Sequence, residues 1–458
     1  MSHSTSTTLL GRKVLRLGRL VRAVAASTDP FDRAIKILPL LAKRGLTWPA
    51  ALLIRRTLRP LTPKPGRIRV LAIEKAVFND DVLQVLSDAP NVQVFGVKRA
   101  VIKAVALGLL PRVICDDATY ICDDPAIDRA KGRLYRFWRS VWPKLGGFDL
   151  VVTGNWCYWA EREMASALEA LGTPFVTLHK EGIKPPARSA MLRDLFRKTR
   201  GAFSGRRLLV YHEAERAHQI EGKIAREDQV VIVGMPRLDA LHEWRRKAAT
   251  GAVPARAARP IVLFAAFLTD NFLPSYSGIE SDLAWTHLAR GCYAALLRLA
   301  RANPDIDVIV RPRLHEKDGV AALFPEGEAA WPTNLRLVAD GGIRPLLEAA
   351  SVVSGHNTTV LLEALAMGKP VVVPHFAEAL DPSYAGYIVE IGDAAEHPRS
   401  PDELIARLCH HCRNPGAIPA KLSPLAIGAL AKWTGNPDGH SAKRARRALL
   451  SEIADTHQ

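Results

Sequence analysis

The sequence predicts an α/β protein in which two doubly wound, mostly parallel sheet domains face each other across a cleft, preceded by an N-terminal helical arm. Three observations predict it. From Arg67 onward, short apolar runs alternate with helical stretches, the pattern of strand-helix-strand units. That alternation is broken by a linker rich in Ala, Arg, Gly and Pro from Ala248 to Pro260. With 458 residues, the chain is also long for a single core. The boundaries that follow are a basic helical arm at 1–60, a first domain at 67–247 and a second at 260–458.

Taken in order, residues 9–24 place Leu10, Val14, Leu17, Val21 and Val24 on one helical face and Arg12, Arg16 and Arg19 opposite. Such a helix either lies in the interface of an anionic membrane or packs on the protein's own core with a solvated basic face. Its basic residues interrupt any apolar run, which argues against a signal peptide. No stretch approaches the ~18 apolar residues of a spanning helix. Helical pattern continues over 31–58, broken at Pro39 and between Gly45 and Pro49, and Pro60, Pro63 and Pro65 form an extended linker.

Strands are predicted at 70–74, 92–97, 149–154, 174–179, 207–211 and 230–234, with a helix at 158–171. After the linker come strands at 261–268, 307–312 and 335–338, a long helix near 282–301, a helix near 402–412 and a basic closing helix beginning near Asp438. Cys409 and Cys412 enclose two histidines at what reads as a solvated helix end. With no second ligand pair elsewhere, no metal site is predicted.

The most informative stretch runs from Ser351 to Pro374. Val352 and Val353 form a buried strand, Ser354 to Asn357 a turn, Thr358 to Met367 an apolar helix, and Val371 to Val373 a second strand. Gly368 supplies the left-handed residue that stops the helix and Pro370 prevents its resumption. Gly355 lets backbone approach a ligand, Asn357 caps the helix, and the hydroxyls of Thr358 and Thr359 sit in its first turn. Unpaired amides there, with the positive end of the helix dipole behind them, suit a phosphate. Glu363 projects from the same face one turn deeper, where it either accepts hydrogen bonds from a ribose diol or pairs with an arginine.

Four further loops leave predicted strands with charged residues, and a desolvated charge needs a ligand or a partner. His179, Lys180 and Glu181 follow one strand, and either His179 or Glu181 has the chemistry of a general base. Arg237 and Asp239 follow another, as part of a site or of a turn with an internal ion pair. A third holds Thr269, Asp270 and Asn271. The fourth holds Arg311, Arg313, His315 and Glu316. There an arginine offers a planar fork for a diphosphate and His315 a donor, or both simply pair with neighbouring carboxylates.

The net charge is +17, so the expected partner is anionic. Aromatics are not interleaved with the basic residues as a single-strand platform requires, and no nucleic-acid recognition motif appears. Six scattered cysteines fit a reducing compartment.

On the phosphate turn GHNTTVLLEALAMGKPVVVP, together with VGMPRLDAL, RPRLHE and the ending NPDGHSAKR, the chain resembles GT-B glycosyltransferases. The likeness is to the loose group of surface and capsular polysaccharide transferases and CDP-glycerol glycerophosphotransferases. It covers the C-terminal half well and the N-terminal half thinly. It implies two Rossmann-like domains and metal-independent transfer from a nucleotide-activated sugar, a co-substrate rather than a cofactor, to a lipid-linked or polysaccharide acceptor. Residue by residue, it implies that Thr358 and Thr359 hold the donor diphosphate, Glu363 the ribose, Arg311 and His315 the phosphate or sugar, and that His179 lies near the acceptor; Gly355 and Asn357, from the reading of the turn itself, complete the candidate binding set. The chain departs from the group in having Arg-Pro-Arg-Leu-His for Arg-His-Pro and Asn-Thr-Thr for Ser-Ser or Ser-Thr. With the basic arm, the expectation is a cytoplasmic enzyme peripheral on the inner membrane. The alternatives are an enzyme similar to UDP-N-acetylglucosamine 2-epimerase and, from another class, a basic nucleic-acid-binding or scaffold protein.

Overall fold

The structure, a computed structural model, describes residues 29–454 apart from 64, 76–77, 115, 122, 199–201, 254–258 and 275–280. The amphipathic segment 9–24 therefore lies outside the described residues. Among those described, no helix is long and apolar enough to cross a membrane.

Two helices open the described chain, α1 (Pro30–Lys43) and α2 (Thr47–Arg55). Asp29 caps α1, accepting from the Phe31 amide, and Pro30 occupies the first turn, where no amide is missed. The predicted break at Pro39 does not occur; α1 runs straight through it. Gly108, on helix α3 (Arg99–Leu109), is the reason: a Cβ there would meet the Pro39 Cα at 2.8 Å, so close α1–α3 packing offsets the lost hydrogen bond.

The first sheet holds β1 (Arg59–Pro60), β2 (Ile68–Glu74), β3 (Val92–Lys98), β4 (Leu150–Thr153), β5 (Phe175–Leu178), β6 (Arg207–Val210) and β7 (Val230–Ile232). Its order is β1-β3-β2-β4-β5-β6-β7. The stretch at 59–60, expected as plain linker, adds an antiparallel edge strand beside β3. The second sheet holds β8 (Ile261–Ala265), β9 (Asp307–Arg311), β10 (Leu335–Leu337), β11 (Val352–Gly355) and β12 (Val371–Val372), in the order β10-β9-β8-β11-β12, all parallel. This is the α/β architecture with parallel sheets that the alternation predicts.

The chain folds into two compact units, one of Met1–His179, Gly201–Leu208 and Ala448–Gln458, the other of Lys180–Arg200 and Leu209–Arg447. The second unit contains the whole five-stranded sheet. Around that sheet lie α4 (Leu238–Ala249), α5 (Thr286–Ala302), α6 (Thr359–Ala366), α7 (Pro401–Arg413), α8 (Pro424–Thr434) and the start of α9 (Ser441–Ala454). Strand side chains alternate between two cores. Val262, Phe264, Val308, Val310 and Val352 pack with α5 and α7, while Ile261, Leu263, Ile309 and Val353 pack with α4, α6 and α8. A sheet covered on both faces must be apolar at every position, which is why these strands read as continuous rather than alternating hydrophobic runs.

Cys409 and Cys412 are not at a solvated helix end. They are 9% and 2% exposed and belong to the α5–α7 core with Leu404 and Leu408, one helical face. Their neighbour His411 turns the other way and meets Glu396 at 2.7 Å. Among the described residues, no group of three or more His, Cys, Asp or Glu is placed to hold a metal ion.

Candidate functional site

Strand order fixes where a ligand can enter the second sheet. From β8 the chain steps outward to β9 and β10, then returns to the opposite side of β8 with β11 and β12. At that reversal the connections leave in opposite directions, and the carboxyl ends of β8 and β11 border a crevice. Ala265 pairs in register with Gly355 on one side and Arg311 on the other. Three loops thus begin at one level, and Arg311 and Gly355 stand two strand spacings apart, about 10 Å.

The β11–α6 turn sits at this point. Gly355 has φ 155°, and a Cβ there would meet the Ala265 carbonyl oxygen at 2.7 Å, so the glycine is required by the neighbouring strand itself. Asn357 does not cap α6. It adopts a left-handed φ of 51°, its Nδ2 donates to the Tyr387 carbonyl at 2.8 Å, and its Oδ1 accepts from the Val389 amide at 2.8 Å. A capping residue needs extended backbone, and the residue that has it is Thr358 (φ −135°, ψ 145°), whose hydroxyl accepts from the Val360 amide at 3.3 Å. The helix therefore starts one residue later than predicted. Among the described residues, the amides of Thr358 and Thr359 have no hydrogen-bond acceptor, and both side chains are half-exposed. Gly368 closes the helix with φ 68° as expected, the Lys369 amide reaching back to the Ala364 carbonyl.

Glu363 lies one turn behind Thr359 on the same face and is buried. Arg237 meets it at 3.2 Å and also donates to the Tyr211 hydroxyl at 3.1 Å. With side chains 12% and 8% exposed, each charge makes the other's burial tolerable. Of the two expectations for Glu363, the arginine partner is present, supplied by the loop after β7. Arg237 and Asp239 do not form the anticipated internal pair. Asp239 instead accepts from the Ser441 and Ala442 amides at 3.0 and 2.8 Å, acting as a remote cap for α9, and from Asn436 Nδ2 at 2.7 Å. With Asp239 in that role, the closing helix begins at Ser441 rather than near Asp438.

The other expected residues divide. Arg311 has its guanidinium on the carbonyls of Val338, Asp340 and Gly341 at 2.7, 2.9 and 2.5 Å, and burial holds its pKa below the usual arginine value. It ties down the loop after β10 from the rim of the crevice. His315 is exposed, 3.8 Å from Glu316, which also holds Arg313 at 2.9 Å. His179 is buried at the end of β5. Glu181 is about half-exposed and pairs with Lys180 at 2.5 Å. His179 belongs to the first unit and Glu181 to the second.

Asn271, legible in the sequence only as a polar residue at a strand end, and His356, not singled out there, both have defined roles here. Asn271, in the loop after β8, donates from Nδ2 to the His356 and Asn357 carbonyls, both at 3.2 Å, and its own carbonyl accepts from the Trp285 indole at 2.8 Å. It fastens the β8 loop to the phosphate turn. His356 is 1% exposed, its ring 4.6 Å from Trp285 and 5.3 Å from Phe267. Neither ring nitrogen has a hydrogen-bond partner among the described residues. Burial, with a smaller contribution from His375, lowers its pKa to about 3. The signal was available, since His356 is the one titratable side chain in the turn.

A pH dependence follows from His356. Because its pKa falls from about 6.5 unfolded to about 3 folded, the stability it contributes is complete above pH 6.5 and is lost as pH falls from 6.5 towards 3. By pH 5 the loss is about 2 kcal/mol. His356→Phe, which keeps the aromatic packing, should show a flatter melting temperature between pH 7 and 5 than the wild type. Parallel curves would show that His356 is not the titrating group.

No family model matches the chain, and no curated protein matches it in sequence. Solved structures resemble it in part. UDP-GlcNAc 2-epimerase from Neisseria meningitidis is 13% identical, with 84% of this chain and 100% of that one covered and a TM-score of 0.46. The wall teichoic acid polymerase TagF is 10% identical, with 98% of both chains covered and a TM-score of 0.49. A UDP-forming α,α-trehalose-phosphate synthase from Burkholderia vietnamiensis is 12% identical, covering 86% and 98%, at 0.44. At such scores the likeness does not choose a reaction, and the functional reading rests on the residues of the β11–α6 turn.

Proposed function

We propose that this chain is a GT-B-type glycosyltransferase or polyol-phosphate transferase that binds a nucleotide-activated donor at the β11–α6 turn and transfers to a lipid-linked or polysaccharide acceptor. The observation that carries the reading is the pair of amides at Thr358 and Thr359 without an acceptor among the described residues, beside the half-buried Thr359 side chain, at the point where the strand order reverses. A diphosphate is the ligand these groups suit: it accepts from amides and hydroxyls at once and is stabilised by the helix dipole. As transfer proceeds, negative charge grows on the departing nucleotide, and the same amides stabilise it without reorganising. Glu363, already fixed by Arg237, accepts from the ribose hydroxyls; a carboxylate has lone pairs for several donors. His179 or Glu181 takes the acceptor proton if transfer inverts configuration.

Thermal shift with UDP-, CDP- and GDP-linked donors tests the donor site, because a ligand bound only by the folded state raises the melting point. Thr359→Val removes one hydrogen bond to a charged group, so affinity should fall by about 10- to 100-fold while the ligand-free melting point is kept. Unchanged affinity would remove the assignment. Incubating the donor alone separates the runner-up reaction, since an epimerase converts it without an acceptor and a transferase does not.

A further inference from the structure

We infer that the outer face of α2, with the end of α1, is a docking surface for an anionic lipid bilayer. This surface is distinct from segment 9–24 and does not depend on the donor-site reading. Helix α2 has two faces. Ala50, Ala51 and Ile54 are buried against the unit's interior, whereas Trp48 and Leu52, one turn apart and hence on one stripe, are 68% and 52% exposed. Leu46, just before the helix, is 42% exposed. A tryptophan presented to solvent together with two leucines is not the scattered single apolar residue that folded surfaces normally carry.

The rim of this patch is cationic. Lys43 and Arg44 at the end of α1 and Arg55 and Arg56 at the end of α2 are all exposed, and Lys144 Nζ stands 5.9 Å from the Trp48 ring. The sequence from 33 to 73 contains ten Lys and Arg and no Asp or Glu. A single-stranded nucleic acid needs successive aromatic platforms, and among the described residues of this patch Trp48 is the one aromatic side chain presented to solvent. An indole at headgroup depth, leucines at the acyl boundary and a rim of cations drawn largely from a segment without Asp or Glu match a leaflet rich in anionic phospholipid.

The test is co-sedimentation of the full chain with vesicles of phosphatidylcholine alone and of phosphatidylcholine with 30% phosphatidylglycerol. Wild type should partition onto the anionic vesicles at least tenfold better than onto neutral ones, and release in high salt, because exposed charges are screened. Trp48→Ala with Leu52→Ser should cut partitioning at least tenfold, as should Lys43→Glu with Arg55→Glu and Arg56→Glu. Because every substituted side chain is exposed, melting points and nucleotide binding should stay at wild-type values in both variants. Partitioning within twofold of wild type in the Trp48/Leu52 variant would overturn the inference. So would loss of a dimer by light scattering with vesicle binding kept, which would assign the patch to a second copy, or equal binding to neutral and anionic vesicles.

Discussion

Arg237→Met is expected to destabilise the protein by about 3–5 kcal/mol, because it strands the Glu363 carboxylate in a buried site with its arginine gone. The informative comparison is the double variant Arg237→Met with Glu363→Leu. Removing both charges together leaves neither uncompensated, so stability should return to within about 1–2 kcal/mol of wild type. Denaturant unfolding of the wild type, both single variants and the double variant measures the coupling directly. The double variant also divides structure from function. If Glu363 serves only the fold, donor binding survives in it; if Glu363 receives the ribose, donor binding is lost from a protein that is nonetheless folded. A double variant as unstable as the worse single variant would mean that the pair does not act as a unit.

Gly435→Ala should be more damaging still. Gly435 ends α8 in the left-handed region, φ 59°, and a Cβ there would fall inside the Tyr211 carbonyl oxygen and 3.2 Å from the Gly234 Cα. Gly234 is itself left-handed, at φ 80°, and a Cβ on it would meet the Gly435 carbonyl oxygen at 2.5 Å. The collision is with main chain on both sides, which no rotamer change relieves, so a loss above about 4 kcal/mol and failure to accumulate soluble protein are expected. Gly428→Ala, in the same helix with nothing within 4 Å, serves as control and should be neutral or stabilising by up to about 1 kcal/mol. Equal soluble yields of the two variants would show that the chain crossing at Tyr211, Gly234 and Gly435 is not tight.

These two variants test contacts that join distant parts of the chain, where reading the sequence was least complete. Every predicted strand is present, within three residues at each end. A buried strand is an apolar run bounded by turn residues, and both signals are local. Where elements departed from expectation, a distant residue decided the matter. Pro39 does not break α1 because Gly108 lets α3 pack against it, and α9 starts not near Asp438 but at Ser441, where Asp239 holds its first amides. Thr358 rather than Asn357 caps α6 because the loop at 387–389 claims the asparagine amide. For the same reason Arg311, legible as a charge at a strand end, could be assigned a partner only once the loop after β10 was seen to bring three carbonyls to it.

The sequence by itself determined that the chain alternates strand and helix, that a glycine-flanked turn opens an apolar helix with two threonines and one glutamate, and that the arm is cationic. Each of these depends on periodicity or on capping chemistry within a few residues. Only the tertiary structure decided that Arg237, 126 residues away, faces Glu363, that Asp239 caps a helix 202 residues downstream, and that the threonine turn lies where strand order reverses. Which loops meet at the end of a sheet depends on strand order, and strand order is set by how layers of buried area cover one another. No short stretch of residues carries that information.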